Sequence, residues 1–183
     1  MVYAQHYQKW VNSPVIDELT ERELASIMYD EMELKNRFSS MLDFGTAGLR
    51  GIAAAGLNNM NIYTVRYVTQ ALAELIIENG KDAMKKGVCI AYDSRIGSEK
   101  FAWEAACTLC ANGVSVNIFD ELRPTPELSF AIRELGAIAG INITASHNPK
   151  EYNGYKVYWE DGAQLPPEHA QQISGRLKQL DIF

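Results

Sequence analysis

Short apolar runs at 88–92, 114–119 and 137–143 alternate with segments of helical periodicity, and this alternation constrains the fold more than any other feature. Buried strands interleaved with helices build a largely parallel sheet with right-handed crossovers. The first intervening helix is predicted from Ser98 to Ala111, with Phe101, Ala105 and Leu109 on one side and Asn112-Gly113 as its stop. The second is predicted from Thr125, read as its cap, with Pro126 at the first helical position and an end near Leu135. Parallel order has a chemical consequence. The segments Asp93-Ser94-Arg95, 120–123 and 144–154 all follow strands, so all three should emerge at one edge of the sheet, where ligands of α/β proteins bind.

Elements on either side complete the layout. Residues up to about Phe38 read as polar and helical, with Trp10, Val11, Ile16, Leu19, Leu24, Ile27 and Met28 as apolar anchors and the many carboxylates as a solvated face, hence as packing material. Residues 49–55 read as a strand leading to a turn at Asn58-Asn59. Asn61 caps a long helix with Ile62, Val65, Thr69, Leu72 and Ile76 on one face, stopped at Asn79-Gly80. Residues 155–159 alternate as a further strand, antiparallel after the loop. Pro166-Pro167 opens a closing helix bearing Ile173, Leu177 and Leu180.

A length of 183 residues and 47% hydrophobic content suit a globular domain with a real core. No repeat, low-complexity tract, membrane-length apolar run or secretory signal is read. The three cysteines are an odd number that argues against a disulfide framework, and a cytoplasmic location is expected. A net charge of −6 disfavours a nucleic-acid binder with a broad basic face, and no nucleic-acid or membrane partner is expected. An anionic substrate remains compatible if positive groups are concentrated in a cleft.

Thr144-Ala145-Ser146-His147-Asn148-Pro149, followed by Lys150, sets a hydroxyl, an imidazole and an ammonium beyond the strand at 137–143. A phosphoryl group suits such a set, since it needs an oxygen to ride on and donors to hold its charge. The bland alternative is a plain turn, because Ser-His-Asn-Pro is turn composition. A small α/β hydrolase is disfavoured. Glycines do not flank Ser146 in nucleophile-elbow spacing, and His147 is its immediate neighbour, a poor position for a base. Gly45-Thr46-Ala47-Gly48-Leu49-Arg50-Gly51 is neither a dinucleotide fingerprint nor a Walker loop, but Arg50 suits phosphate oxygens. Cys107-Thr108-Leu109-Cys110 reads as buried small residues rather than a redox or metal pair, and the Asn142-Ile143-Thr144 sequon is discounted as part of a core strand. Tyr152, Tyr155 and Trp159 could stack on a sugar ring, with core packing favoured for Trp159.

Three elements, Thr144-Ala145-Ser146-His147-Asn148-Pro149, Phe44-Gly45-Thr46-Ala47-Gly48-Leu49-Arg50-Gly51 and Asn153-Gly154-Tyr155-Lys156, resemble the signatures of the α-D-phosphohexomutases, the phosphoglucomutase and phosphomannomutase superfamily. Tyr92-Asp93-Ser94-Arg95 and the text around Trp159 look like the branch holding bacterial phosphoglucomutases and phosphopentomutase-like enzymes. The resemblance implies an α/β fold: a three-layer α/β/α domain with a mostly parallel mixed sheet over residues 41–183, the superfamily's domain I, behind a helical extension at 1–40. It implies that Ser146 carries a phosphoryl group, passes it to a sugar monophosphate, and recovers the other phosphoryl from the resulting sugar 1,6-bisphosphate after the sugar turns over. It implies Mg2+ on an oxygen of the Ser146 phosphoryl as Lewis acid. Arg50, His147 and Lys156 would hold the reacting oxygens and share acid–base work, with the general base open among the three. Asn148 and Arg95 join them as expected phosphate contacts, and Asp93 and Ser94 as support for the serine loop.

Superfamily members are four-domain chains, and only the first domain is matched. No Asp-Gly-Asp-x-Asp magnesium loop, Gly-Glu-x-Ser-Gly sugar loop or Arg-x-Ser-Gly phosphate loop follows Trp159. The chain is therefore expected to be a catalytic-serine domain that folds but turns over little alone. Its partners would be sugar phosphates and the other domains of a parent enzyme, which would supply the remaining metal ligands. The alternatives are a standalone phosphate- or sugar-binding module without chemistry, and a phosphopentomutase parent.

Overall fold

The computed structural model describes residues 2–183. Three helices, α1 (Val2–Val11), α2 (Glu18–Ser26) and α3 (Glu31–Phe38), precede strand β1 (Leu49–Ile52). Then come α4 (Ile62–Glu78), α5 (Lys81–Lys86), β2 (Val88–Tyr92), α6 (Ser98–Ala111), β3 (Val116–Ile118), α7 (Thr125–Glu134), β4 (Ala139–Ile143), β5 (Tyr152–Trp159) and α8 (Pro167–Leu177). The strands form one sheet in the order β1-β5-β4-β2-β3. β2 is parallel to β3 and β4, whereas β5 runs antiparallel to both β4 and β1. The architecture is thus the expected α/β/α sandwich around a mixed sheet.

The two faces are unequally covered. Helices α4, α6 and α8 bury one face, through residues such as Val65, Leu72, Ala105 and Ile173 against Ile90, Ile141 and Val157. On the other face α7 sets Leu128 and Ile132 against Cys89, Ala91 and Tyr158. β2 and β4 are buried along their whole length, which is why their text is apolar without alternation. Helices α1–α3 share the larger core: Trp10 packs edge-on against Phe38 and Tyr63 at ring separations of 5.7 and 5.2 Å. The tail folds back onto them, with Phe183 5.4 Å from the Trp10 ring and Asp181 2.6 Å from the Lys9 ammonium.

The helix cap at Asn61 is built as its sequence implies. The Asn61 Oδ1 accepts from the Thr64 N–H and Thr64 Oγ1 from the Asn61 N–H, each at 3.0 Å. The same carboxamide donates to Ala54 O and Gly56 O, both at 2.9 Å, and so ties the turn after β1 to the helix. Asn61→Ala is expected to cost about 2 kcal/mol, measurable by urea unfolding, because it removes the cap and strands buried carbonyls.

Several boundaries shift for physical reasons. β1 ends at Ile52 rather than at residue 55, because Ala53 turns to bridge Met60. β3 and β4 are shorter than their apolar runs. Pro124, not Thr125, is the cap of α7, and Pro126 is the second helical residue; the Thr125 hydroxyl is taken by Asn142 Nδ2 at 2.8 Å. Helix α5 has too little apolar periodicity to be legible. Val11, Leu19 and Met28 are exposed, not anchors. The cysteine reading is also corrected. Phe101, Ala105 and Leu109 take the buried stripe of α6, so Cys107 and Cys110 fall on its exposed side. Cys89 is buried, and desolvation pushes its thiol up to about 11. A thiol reagent at neutral pH is expected to titrate Cys107 and Cys110 in the native protein and Cys89 only after unfolding.

Candidate active site

β4 delivers the chain to the sheet edge, where Thr144 N–H donates to Gly154 O at 3.0 Å and Ala145 stays buried. Ser146 then turns outward with φ +58°, the single non-glycine residue with positive φ among the described residues. That left-handed conformation costs an ordinary side chain about 1 kcal/mol or more. Thr144 supports it by accepting the Ser146 N–H on Oγ1 at 3.0 Å. Ser146 and His147 are both exposed. His147 Nδ1 lies 3.4 Å from Ser146 Oγ, at the outer limit of a hydrogen bond, so the imidazole is beside the hydroxyl without being aligned to take its proton.

Arg50 reaches this loop from β1. Its register partner on β5 is Gly154, and its Nη1 donates to Asn148 Oδ1 at 3.0 Å. Glycine is required where these segments meet. A Cβ at Gly48, whose φ is +77°, would lie 1.9 Å from Tyr155 O, and one at Gly154 would lie 2.7 Å from Thr144 O and 2.9 Å from Leu49 O. Lys156 sits two residues beyond Gly154, opposite Asn142 of β4, and strand alternation places it on the Arg50 face of the sheet. Lys156 is half-buried, and its ammonium makes no ion pair or hydrogen bond among the described residues. Arg50 is bonded only to a neutral amide. Two cations without carboxylate partners at one edge give an otherwise acidic chain a local site for an anion.

Arg95, expected to bind phosphate, faces inward instead. Nη1 donates to Pro149 O at 2.8 Å and Tyr152 O at 2.9 Å, and Nη2 to Ser146 O at 3.0 Å and Asn148 O at 2.7 Å. Nε is 3.2 Å from Asp93 Oδ2. The guanidinium fork is thus spent on carbonyls of the serine loop, a use that a planar group with fixed donors suits well. Asp93 Oδ1 accepts from Ser98 Oγ at 2.7 Å and from the Arg95 N–H at 3.0 Å, while Asn153 Nδ2 donates to Ser98 Oγ at 2.9 Å. This chain joins the end of β2, the start of α6 and the start of β5. Sequence reasoning quoted Thr144 and Asn153 only as parts of their motifs and Ser98 only as a helix start, and gave none of the three a role in the site. An acidic and a basic residue directly after β2 were the available signal for the Asp93–Arg95 pair.

The three loops predicted to share an edge do so: Asp93 N–H donates to Ile143 O and Arg123 N–H to Tyr92 O, both at 3.1 Å. Arg123 itself is paired with Asp120, Glu121 and Glu127 and is not free for a ligand. Tyr155 and Trp159 are buried, and only Tyr152 of the three aromatics is half-open to a sugar. Among the described residues no three His, Cys, Asp or Glu side chains are grouped to hold a metal. The nearby Asp93 already serves Arg95 and Ser98. The residues present therefore do not fit a divalent cation site by themselves.

The family model described as phosphoglucomutase/phosphomannomutase, alpha/beta/alpha domain I, matches residues 41–182. A phosphoglucomutase of Staphylococcus saprophyticus is 44% identical over 151 residues, covering 82% of this chain and 27% of that protein. A human phosphopentomutase is 36% identical over 177 residues, covering 93% of this chain and 29% of that protein. A solved structure of a phosphoglucomutase/phosphomannomutase family protein from Burkholderia thailandensis superposes with a TM-score of 0.61 at 25% identity, covering 76% of this chain and 31% of that one. The chain accordingly spans little more than a quarter of the curated relatives it matches. With the serine loop, the Arg50 strand and the mixed sheet all in place, this chain belongs to the phosphoglucomutase/phosphomannomutase family as its α/β/α domain I.

Proposed function

We propose that this chain is the phosphoryl-carrying domain of a sugar-phosphate mutase, with residues 41–183 forming the domain and 1–40 a helical extension. The observation that carries the reading is an exposed Ser146, held in a left-handed turn, with Arg50 and Lys156 unneutralised at the same sheet edge. Phosphorylated Ser146 gives its phosphoryl to a hydroxyl of a sugar monophosphate. The P–Oγ bond breaks, a P–O bond to the sugar forms, and the hydroxyl proton is relayed to the departing Ser146 Oγ through a group with a free lone pair, His147 or a deprotonated Lys156, while the Arg50 guanidinium only polarises the oxygens. The sugar bisphosphate turns by half a revolution. Its other phosphoryl then returns to Ser146 Oγ: the P–O bond to the sugar breaks, a P–Oγ bond forms, and the serine proton goes by the same relay to the released sugar oxygen, leaving the isomeric monophosphate. Such transfers need little from the protein beyond positioning and charge neutralisation. Arg50 supplies a planar fork for phosphoryl oxygens, Lys156 a point charge, and Asn148 steadies Arg50.

Magnesium, as Lewis acid, would take one ligand oxygen from the Ser146 phosphoryl, with its remaining ligands from outside the described residues. Hexose phosphates are the first candidate substrates, given the Staphylococcus relative, and pentose phosphates the second, given the human one. Three free cysteines fit a cytoplasmic location.

Mass spectrometry of the chain isolated from cells is expected to find phosphate on Ser146, and a coupled assay for glucose 6-phosphate formation to find little turnover by the chain alone. Robust turnover by the pure chain overturns the reading of it as one part of a larger site. An unmodified Ser146 combined with sugar-phosphate affinity favours a binding module without chemistry.

A further inference from the structure

Helix α6 carries two thiols that the serine site does not use. Cys107 and Cys110 stand three residues apart, so they are neighbours on one face of the helix. Phe101, Ala105 and Leu109 take the buried stripe, and both thiols lie on the exposed side with Trp103 and Ala111. Neither sulfur makes a hydrogen bond among the described residues. Glu104 is their one acidic neighbour at helical spacing, and Arg66 holds its carboxylate at 2.7 Å. Cys89, buried in β2, cannot supply a third sulfur. The pair lies roughly 14–18 Å along the helix from Ser98, at the end away from the serine loop.

Two chemistries are open to such a pair, and distances choose between them. Cβ atoms three residues apart on a helix are about 5–6 Å from each other. A disulfide needs them about 3.5–4.5 Å apart, so closing one would pull α6 out of shape. An ion bound to both sulfurs spans the wider gap, because two metal–thiolate bonds of about 2.3 Å let the sulfurs stand up to ~4.6 Å apart. That ion must be satisfied by two thiolates. Zinc in closed protein sites takes four ligands, and no third Cys, His, Asp or Glu is grouped with the pair among the described residues. Thiolates select soft ions, of which the cuprous ion accepts two ligands. We propose that Cys107 and Cys110 form a surface dithiolate site for one soft, two-coordinate ion of the cuprous class. On binding, each S–H releases its proton to solvent and each thiolate donates a lone pair to the ion, with no change of oxidation state. The site is separate from the mutase chemistry proposed above and does not depend on it.

The test titrates the purified chain with cuprous ion, supplied as its acetonitrile complex under nitrogen, in competition with a chromophoric cuprous chelator. One ion per chain is expected, with the native mass otherwise unchanged. Cys107→Ser and Cys110→Ser are each expected to weaken binding by at least about a hundredfold, because losing a direct ligand costs more than the ten- to hundredfold typical of an outer partner. Both variants alter exposed, unbonded side chains and should fold as the wild type does, which circular dichroism checks. Absence of binding, equal binding by the Cys107→Ser/Cys110→Ser double variant, or a stoichiometry of one ion per two chains would each overturn the site.

Discussion

Ser146→Ala is expected to abolish the covalent phosphate proposed for the protein: the peptide that contains residue 146 should lose its phosphoryl increment completely. In a full-length mutase carrying this domain, turnover falls by several orders of magnitude, as when a nucleophile is removed from a concerted site. The fold should be indifferent. The side chain is exposed and its one polar contact is a marginal 3.4 Å approach to His147, so the unfolding free energy should move by no more than about 0.5 kcal/mol. Ser146→Gly separates chemistry from conformation. It removes the same oxygen while relieving the φ of +58°, and is expected to be as inactive as the alanine variant yet more stable by up to about 1 kcal/mol. Phosphate retained on the Ser146→Ala peptide, or full isomerase activity, would contradict the assignment of the carrier.

The second large effect is expected at a residue whose guanidinium is spent on the serine loop. Arg95→Ala strips four loop carbonyls of their donor and leaves Asp93 without its cation. The side chains of this pair are 14% and 28% exposed, so solvent repairs part of the damage, and a loss of roughly 2–3 kcal/mol is expected in urea unfolding. Arg95→Lys should restore little, because an ammonium with three donors cannot span four acceptors and a carboxylate. The distinguishing readout is local: amide hydrogen exchange in 146–152 should accelerate more than exchange in β2 or α4, and phosphate occupancy of Ser146 should fall with the hydroxyl still present. Uniform acceleration across the chain would reduce Arg95 to a general stabiliser.

Much of this was legible because it is local. The apolar run at 88–92, the α6 stripe and the Asn61 cap are set by neighbours within a few residues, and the structure places them where the text does. The edge shared by three loops was legible too, since parallel strands dictate it. What was not legible depends on distance along the chain. Arg95 reads as a phosphate ligand until its partners, 51 to 57 residues away, are seen to occupy it. Thr125 reads as a cap until Asn142, 17 residues on, claims its hydroxyl. Cys107 and Cys110 were misread for a different reason: small apolar character does not say which side of a helix a residue occupies. The extra length of β5, back to Tyr152, was hidden because Asn153 and Gly154 look like loop text, and it is the close approach of β1 and Thr144 that makes glycine right for a strand there.

Ser146, His147 and Lys156 ride on a single hairpin, β4 to β5, whereas Arg50 arrives on a four-residue border strand secured mainly by β5, the Ala53–Met60 bridge and the Asn61 amide. Border strands loosen before interior ones. As the protein warms, the hand that grips the anion lets go while the arm that bears it is still in place. If Ser146 is the carrier proposed above, it is expected to remain phosphorylated in a molecule that has already lost the Arg50 grip, so that competence ends at a lower temperature than the fold does.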